Sequence, residues 1–193
     1  DAVEIAQAVT AIVDLPGPVY LRLKRGEIPS IFGADHEFSL EHANVLSSGE
    51  DVALFASGMM LSAALAAAEV LAGAGVSVGV VNVPVIKPLD AATIAAAAGA
   101  ARCVVSAENH SVVGGLGSAV AEVLAEAGLG RRLRRVGLRD TFAEGAQDAT
   151  SLFRKYGLTT QDVVDAAWDA LGREGAPPRA PVVATPPGEY APV

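Results

Sequence analysis

The 193-residue chain is 51% hydrophobic and 19% charged, enough for a buried core and incompatible with a disordered protein. Its net charge of −8 offers no basic surface for phosphates, so neither nucleic acid nor an anionic membrane is an expected partner. No apolar run reaches bilayer length, and the single cysteine, Cys103, cannot close an internal disulfide, so the cytoplasm is the expected compartment.

The chain opens on Asp1 inside a helical pattern, which suggests a piece of a longer protein. Across residues 2–14, Ile5, Ala6, Val9, Ile12 and Val13 recur at helical spacing, and Pro16-Gly17-Pro18 stops the pattern. Residues 19–24 alternate Val19, Leu21 and Leu23 with Tyr20, Arg22 and Lys24, the period of a half-buried strand. A looser segment with His36 and His42 follows, and both histidines are expected to face solvent.

From residue 44 the pattern is regular. Short Val-rich strands are predicted at 52–57, 76–83, 102–107 and 133–138, with helices between them. Asp90 is placed as an N-cap for the helix that follows it. The stretch 44–47 is joined to the next strand only by Ser48-Gly49-Glu50, too short for a parallel crossover, so it should pair antiparallel at an edge or not at all. The helices near the end run through "DATSLFRKYGL" and "TQDVVDAAWDALG", with Val163, Val164, Ala167, Trp168 and Leu171 on one side. The last 21 residues hold six of the eleven prolines and read as an extended or mobile tail.

Several groups invite a chemical reading. Gly114, Gly115 and Gly117 precede a helix, as in anion-binding turns, but the G-x-G-x-x-G and Walker A spacings are not met. Tight packing of the helix is the stronger reading, and no binding of ATP or NAD is expected. His110 beside Glu108 could be a general acid or base, or a polar contact at a subunit boundary. No metal-ligand spacing joins the three histidines, and no catalytic set is complete. Cys103 lies in an apolar run and reads as a buried, inert thiol. Arg22, Lys24, Arg25 and Gly26 could grip a phosphate or carboxylate at a strand end, whereas Arg131–Arg135 reads as the solvated face of a strand.

Four segments, in order, resemble the C-terminal part of transketolases, most of all the split type with separate N- and C-terminal polypeptides. They are "GPVYLRLKRGEIP", "GEDVALFASGMMLSAALAAAEVLAGAGVSVGVVNVPVIKPLD", "VVSAENHSVVGGLGSAVAEVLAEAG" and "VGLRDTFAEGA" with "LFRKYGLTTQDVV". The resemblance implies an α/β fold of three layers, a five-stranded mostly parallel sheet with one antiparallel strand. It implies a remnant of the pyrimidine-binding domain and linker at 1–43, the C-terminal domain at 44–172, and a Pro-rich tail at 173–193. In such enzymes thiamine diphosphate and Mg²⁺ serve transfer of a two-carbon ketol unit between sugar phosphates, with the cofactor as electron sink.

By that resemblance Arg25, and more weakly Arg22, bind substrate phosphate. Glu108, His110, Gly114, Gly115 and Gly117 lie where the domain meets the rest of the enzyme and its dimer mate. No catalytic, cofactor-binding or metal-binding residue is expected in this chain, since no Gly-Asp-Gly occurs in it. The expected partners are a second copy, the N-terminal pyrophosphate/pyrimidine portion and sugar phosphates, with the isolated chain inactive. The alternatives are 1-deoxyxylulose-5-phosphate synthase, a 2-oxoacid dehydrogenase β subunit, or a non-catalytic α/β interaction module.

Overall fold

The computed structural model describes residues 1–24, 28–145 and 148–181. Helix α1 (Ala2–Ile12) comes first, and among the described residues no further regular element occurs before strand β1 (Asn44–Val45). Then come β2 (Val52–Ser57), α2 (Met60–Gly73), β3 (Val78–Asn82), α3 (Ala91–Ala100), β4 (Cys103–Ser111), α4 (Leu116–Glu126), β5 (Arg132–Leu138), α5 (Ala149–Tyr156) and α6 (Thr160–Ala170).

The sheet order is β1-β3-β2-β4-β5. All pairs are parallel except β1 with β3, where Asn44 opposes Asn82 and Val45 opposes Val81. This is the expected edge strand, although only two residues long. The link into β2 presses so close to β3 that a Cβ on Gly49 would lie 2.2 Å from the Gly79 nitrogen, so only glycine fits there.

Two apolar layers follow from burial of β2 and β3 on both faces. On one side Val52, Leu54, Val80 and Val105 pack with α2 and α6, through Met60, Ala64, Leu71, Val163, Val164 and Ala167. On the other, Phe55, Val81 and Val104 pack with Ile94 and Ala98 of α3 and with Leu116, Val120 and Leu124 of α4. Alanine-rich helices let the backbones approach the sheet closely. The caps are local: Asp90 accepts from the Thr93 N–H, Thr159 and Asp162 form a capping box, and Gly157 ends α5 at φ 70°.

One element differs from expectation and another goes beyond it. Residues 19–24 form no strand, since none of the described strands pairs with them. Residues 173–181 are extended but held against α6: the Trp168 indole N–H donates to the Gly175 carbonyl at 3.2 Å, and Ala180 donates to the Gln161 side chain at 2.8 Å. No helix among the described residues is long and apolar enough to cross a membrane.

Candidate functional site: the carboxyl ends of the central strands

From β2 the chain moves to β3 on one side, then returns across to β4 on the other. The carboxyl ends of β2 and β4 therefore flank the switch point of the sheet, where open α/β folds place ligands. Ser57 and Glu108 are register partners there.

Glu108 is 1% exposed. Its carboxylate accepts the Leu116 N–H at 2.7 Å and the Gly117 N–H at 2.8 Å, the first free donors of α4. The anion invited by the glycine turn is thus supplied by the chain itself, from the end of the preceding strand. Burial pushes the Glu108 carboxyl above its usual range, against the pull of the Gly117 and Leu116 N–H groups.

The same contact explains the glycines. A Cβ on Gly115 would meet a Glu108 carboxylate oxygen at 2.0 Å, and one on Gly117 would meet Ser106 Oγ and Arg135 Cδ at 2.6 Å. Gly114 takes φ 73° to make the turn. Arg135 closes the far side by donating to the Val112 carbonyl at 3.0 Å.

The N-terminal stretch covers this end of the sheet. Arg22 donates from Nη2 to the Asn109 carbonyl at 3.0 Å, and buried Asn82, at the end of β3, donates to Glu4 of α1 at 2.8 Å. Asp1 caps α1 through the Glu4 N–H and also accepts from Ile31 and Phe32. Gln7 donates to the His36 carbonyl and accepts from Phe38. The first two turns of α1 therefore organise residues 31–38 and fix them to the sheet.

The expected site residues fall into three groups. His110 and Gly114 are exposed at the rim. Glu108, Gly115 and Gly117 are buried within the chain, where the carboxylate faces the helix N-terminus. Arg25 lies outside the described residues, and Arg22 is engaged with the end of β4.

One expectation changes. His36 is not solvent-facing: its side chain is 6% exposed, stacked on Phe32 at 3.8 Å, with Nε2 3.5 Å from Glu4. His42 does face solvent. The arginines of 131–135 are exposed or half-buried, as a solvated face should be, and they also tie this edge to its neighbours. Arg131 donates to the Gly99 carbonyl, Arg132 to the Asp169 carbonyl, and Arg134 pairs with the Asp169 carboxylate. Cys103 is buried as expected, and burial pushes its thiol up to about 11.

Among the described residues no group of three or more His, Cys, Asp or Glu is placed to hold a metal. The α4 N-terminus does not fit a diphosphate, because Glu108 already takes its Leu116 and Gly117 donors. Sequence reasoning missed Asn82 and Glu4 altogether. The one available signal was an asparagine closing an otherwise apolar strand.

This architecture matches known proteins. Residues 41–163 match the family described as transketolase, C-terminal domain. The 6-deoxy-6-sulfo-D-fructose transketolase subunit SqwH of a Clostridium species is 43% identical over 90% of this chain and 53% of its own length. A solved chain described as a split gene transketolase, inactive beta4 tetramer, superposes with a TM-score of 0.84 at 41% identity, over 89% of this chain and 56% of that one. The 1-deoxy-D-xylulose-5-phosphate synthase of Caldanaerobacter subterraneus is 37% identical over 86% of this chain, which spans 26% of that enzyme. The chain thus spans about half the length of its transketolase-subunit relative. With motifs, sheet topology and family match in agreement, this chain belongs to the transketolase C-terminal domain family.

Proposed function

We propose that this chain is the C-terminal portion of a thiamine-diphosphate-dependent transketolase of the split type, which moves a two-carbon ketol unit between sugar phosphates. The observation that carries the reading is the N-terminal stretch. Residues 1–43, the remnant of a pyrimidine-binding domain, are tied to the strand ends by Glu4–Asn82 and Arg22–Asn109, yet leave Val9 43% and Val13 72% exposed. Such apolar surface calls for a partner, here the N-terminal pyrophosphate and pyrimidine portion of the enzyme, with a second copy of this chain across the dimer.

In this reading thiamine diphosphate and Mg²⁺ are held by other chain, and the cofactor supplies the electron sink for the carbanion. The present residues position rather than react. The domain at 44–172 packs and pairs, the exposed rim of His110 and Gly114 lies at the subunit boundary, and Arg25, and more weakly Arg22, receives the substrate's phosphate. Arginine suits that task through its paired donors. The setting is the cytoplasm.

The second reading, 1-deoxyxylulose-5-phosphate synthase, is supported by the synthase relative at 37% identity. Reconstitution separates the two. Mixed with its N-terminal portion, thiamine diphosphate and Mg²⁺, the chain should transfer ketol from xylulose 5-phosphate to an aldose phosphate. Product from pyruvate and glyceraldehyde 3-phosphate instead would replace the first reading by the second, and no product from either would refute both.

A further inference from the structure

We propose that the outer face of α6 is a receptor for an extended, proline-bearing segment and that residues 173–181 occupy it in cis. The inner face of α6 is spent on the core through Val163, Val164 and Ala167. Gln161, Asp165 and Trp168 lie four and three residues apart, on a different stripe of the helix.

The Gln161 carboxamide is fully used. One Nε2 hydrogen goes to Asp165 Oδ1 at 2.7 Å, the other to the Pro178 carbonyl at 3.2 Å, and Oε1 accepts the Ala180 N–H at 2.8 Å. Asp165 can only accept while ionised, so it fixes which end of the amide faces it. The remaining donor and acceptor then bracket Arg179 as a neighbouring parallel strand would. Pro177, Pro178 and Pro181 offer no N–H, so Arg179 and Ala180 carry the only backbone donors in 177–181, and Gln161 takes one of them. Two turns along the helix, the Trp168 indole N–H holds the Gly175 carbonyl, and the Arg173 guanidinium lies 5.1 Å from the indole centroid.

The spacing fits a polyproline-like ligand. Gln161 to Trp168 is roughly 10 Å of helix at 1.5 Å per residue. Gly175 to Arg179 is roughly 12 Å at 3.1 Å per residue. The segment runs antiparallel to α6, and its prolines lower the entropy lost on docking. Pro177, Pro178 and Ala180 are half-buried against it. The strap thus latches a helix that completes the core and leads the chain back toward the α6 N-terminus. This holds whichever ketol chemistry the assembled enzyme performs.

Amide hydrogen exchange on the full chain tests it, with Trp168, the sole tryptophan, as a second probe. The Ala180 N–H and the Trp168 indole N–H should be protected, independently of protein concentration. Gln161→Ala should cut Ala180 protection roughly five- to tenfold, the worth of a hydrogen bond, with Val163 and Val164 amides unchanged. Ala180→Pro, which removes the donor, should raise exchange at the indole N–H and again spare the core. Exchange of Ala180 at the free-peptide rate, protection that survives Gln161→Ala, or protection that falls on dilution would each overturn a cis-docked strap.

Discussion

Residues 44–172 and residues 1–43 have comparably apolar sequences and opposite fates. In residues 44–172, Phe55, Leu54 and Ile94 are fully enclosed where the sheet meets the helices of the same chain. In the N-terminal stretch Val9, Val13, Val19 and Leu23 are open to solvent, and Ala8 is the one hydrophobic residue of α1 that is buried. The difference lies in partners rather than in pattern. A stripe at helical spacing packs only where a partner covers it, and among the described residues nothing covers Val9 and Val13 of α1. What holds α1 in place is polar: Asp1, Glu4 and Gln7 make its contacts to residues 31–38 and Asn82.

That contrast can be broken at defined points. The largest effect belongs to Glu108→Ala, which strands two buried N–H groups at the start of α4 and opens space beside Gly115. A loss of about 2–4 kcal/mol is expected in urea unfolding of the chain.

A smaller effect comes from pH. With its thiol raised to about 11 in the folded state, Cys103 ionises first in the unfolded chain, so stability should fall as pH rises from about 9 toward 11. Cys103→Ala should flatten that alkaline slope, visible as a smaller drop in melting temperature between pH 8 and 10.5. The smallest effect is in the N-terminal stretch. Val9→Ser with Val13→Ser should change unfolding free energy of the isolated chain by less than about 0.5 kcal/mol. The same pair should weaken association with the N-terminal portion in a pull-down or titration. A large stability loss from this pair would mean that α1 packs within the chain after all.

The regions also differ in how far their structure was legible from residues. In 44–172 strand and helix periods agree with their caps, so Asp90, the edge strand at 44–45 and the Val-rich strands could be read directly. The antiparallel edge followed from the length of one loop. In 19–24 the strand pattern is present, but a strand exists only when a neighbour pairs with it. His36 was misjudged because burial by Phe32 and Glu4 is a tertiary fact, invisible in a loop composition.

The candidate site was less legible than the fold. Its glycines were correctly tied to close packing, but the group they approach, the Glu108 carboxylate, sits six residues before Gly114 and needed the β4 geometry to be found. In the proline-rich segment the docking of residues 173–181 was not legible for a related reason, and residues 182–193 lie outside the described residues. Composition gives the segment's own conformation and says nothing of a receptor such as Gln161 and Trp168 on α6.

Calorimetric titration of the isolated chain with thiamine diphosphate and Mg²⁺ probes the main assertion most directly, namely that these residues build a scaffold whose reactive centre is assembled with other chain. No binding heat should appear until the N-terminal portion is added. Saturable micromolar uptake of the coenzyme by this polypeptide alone would contradict it.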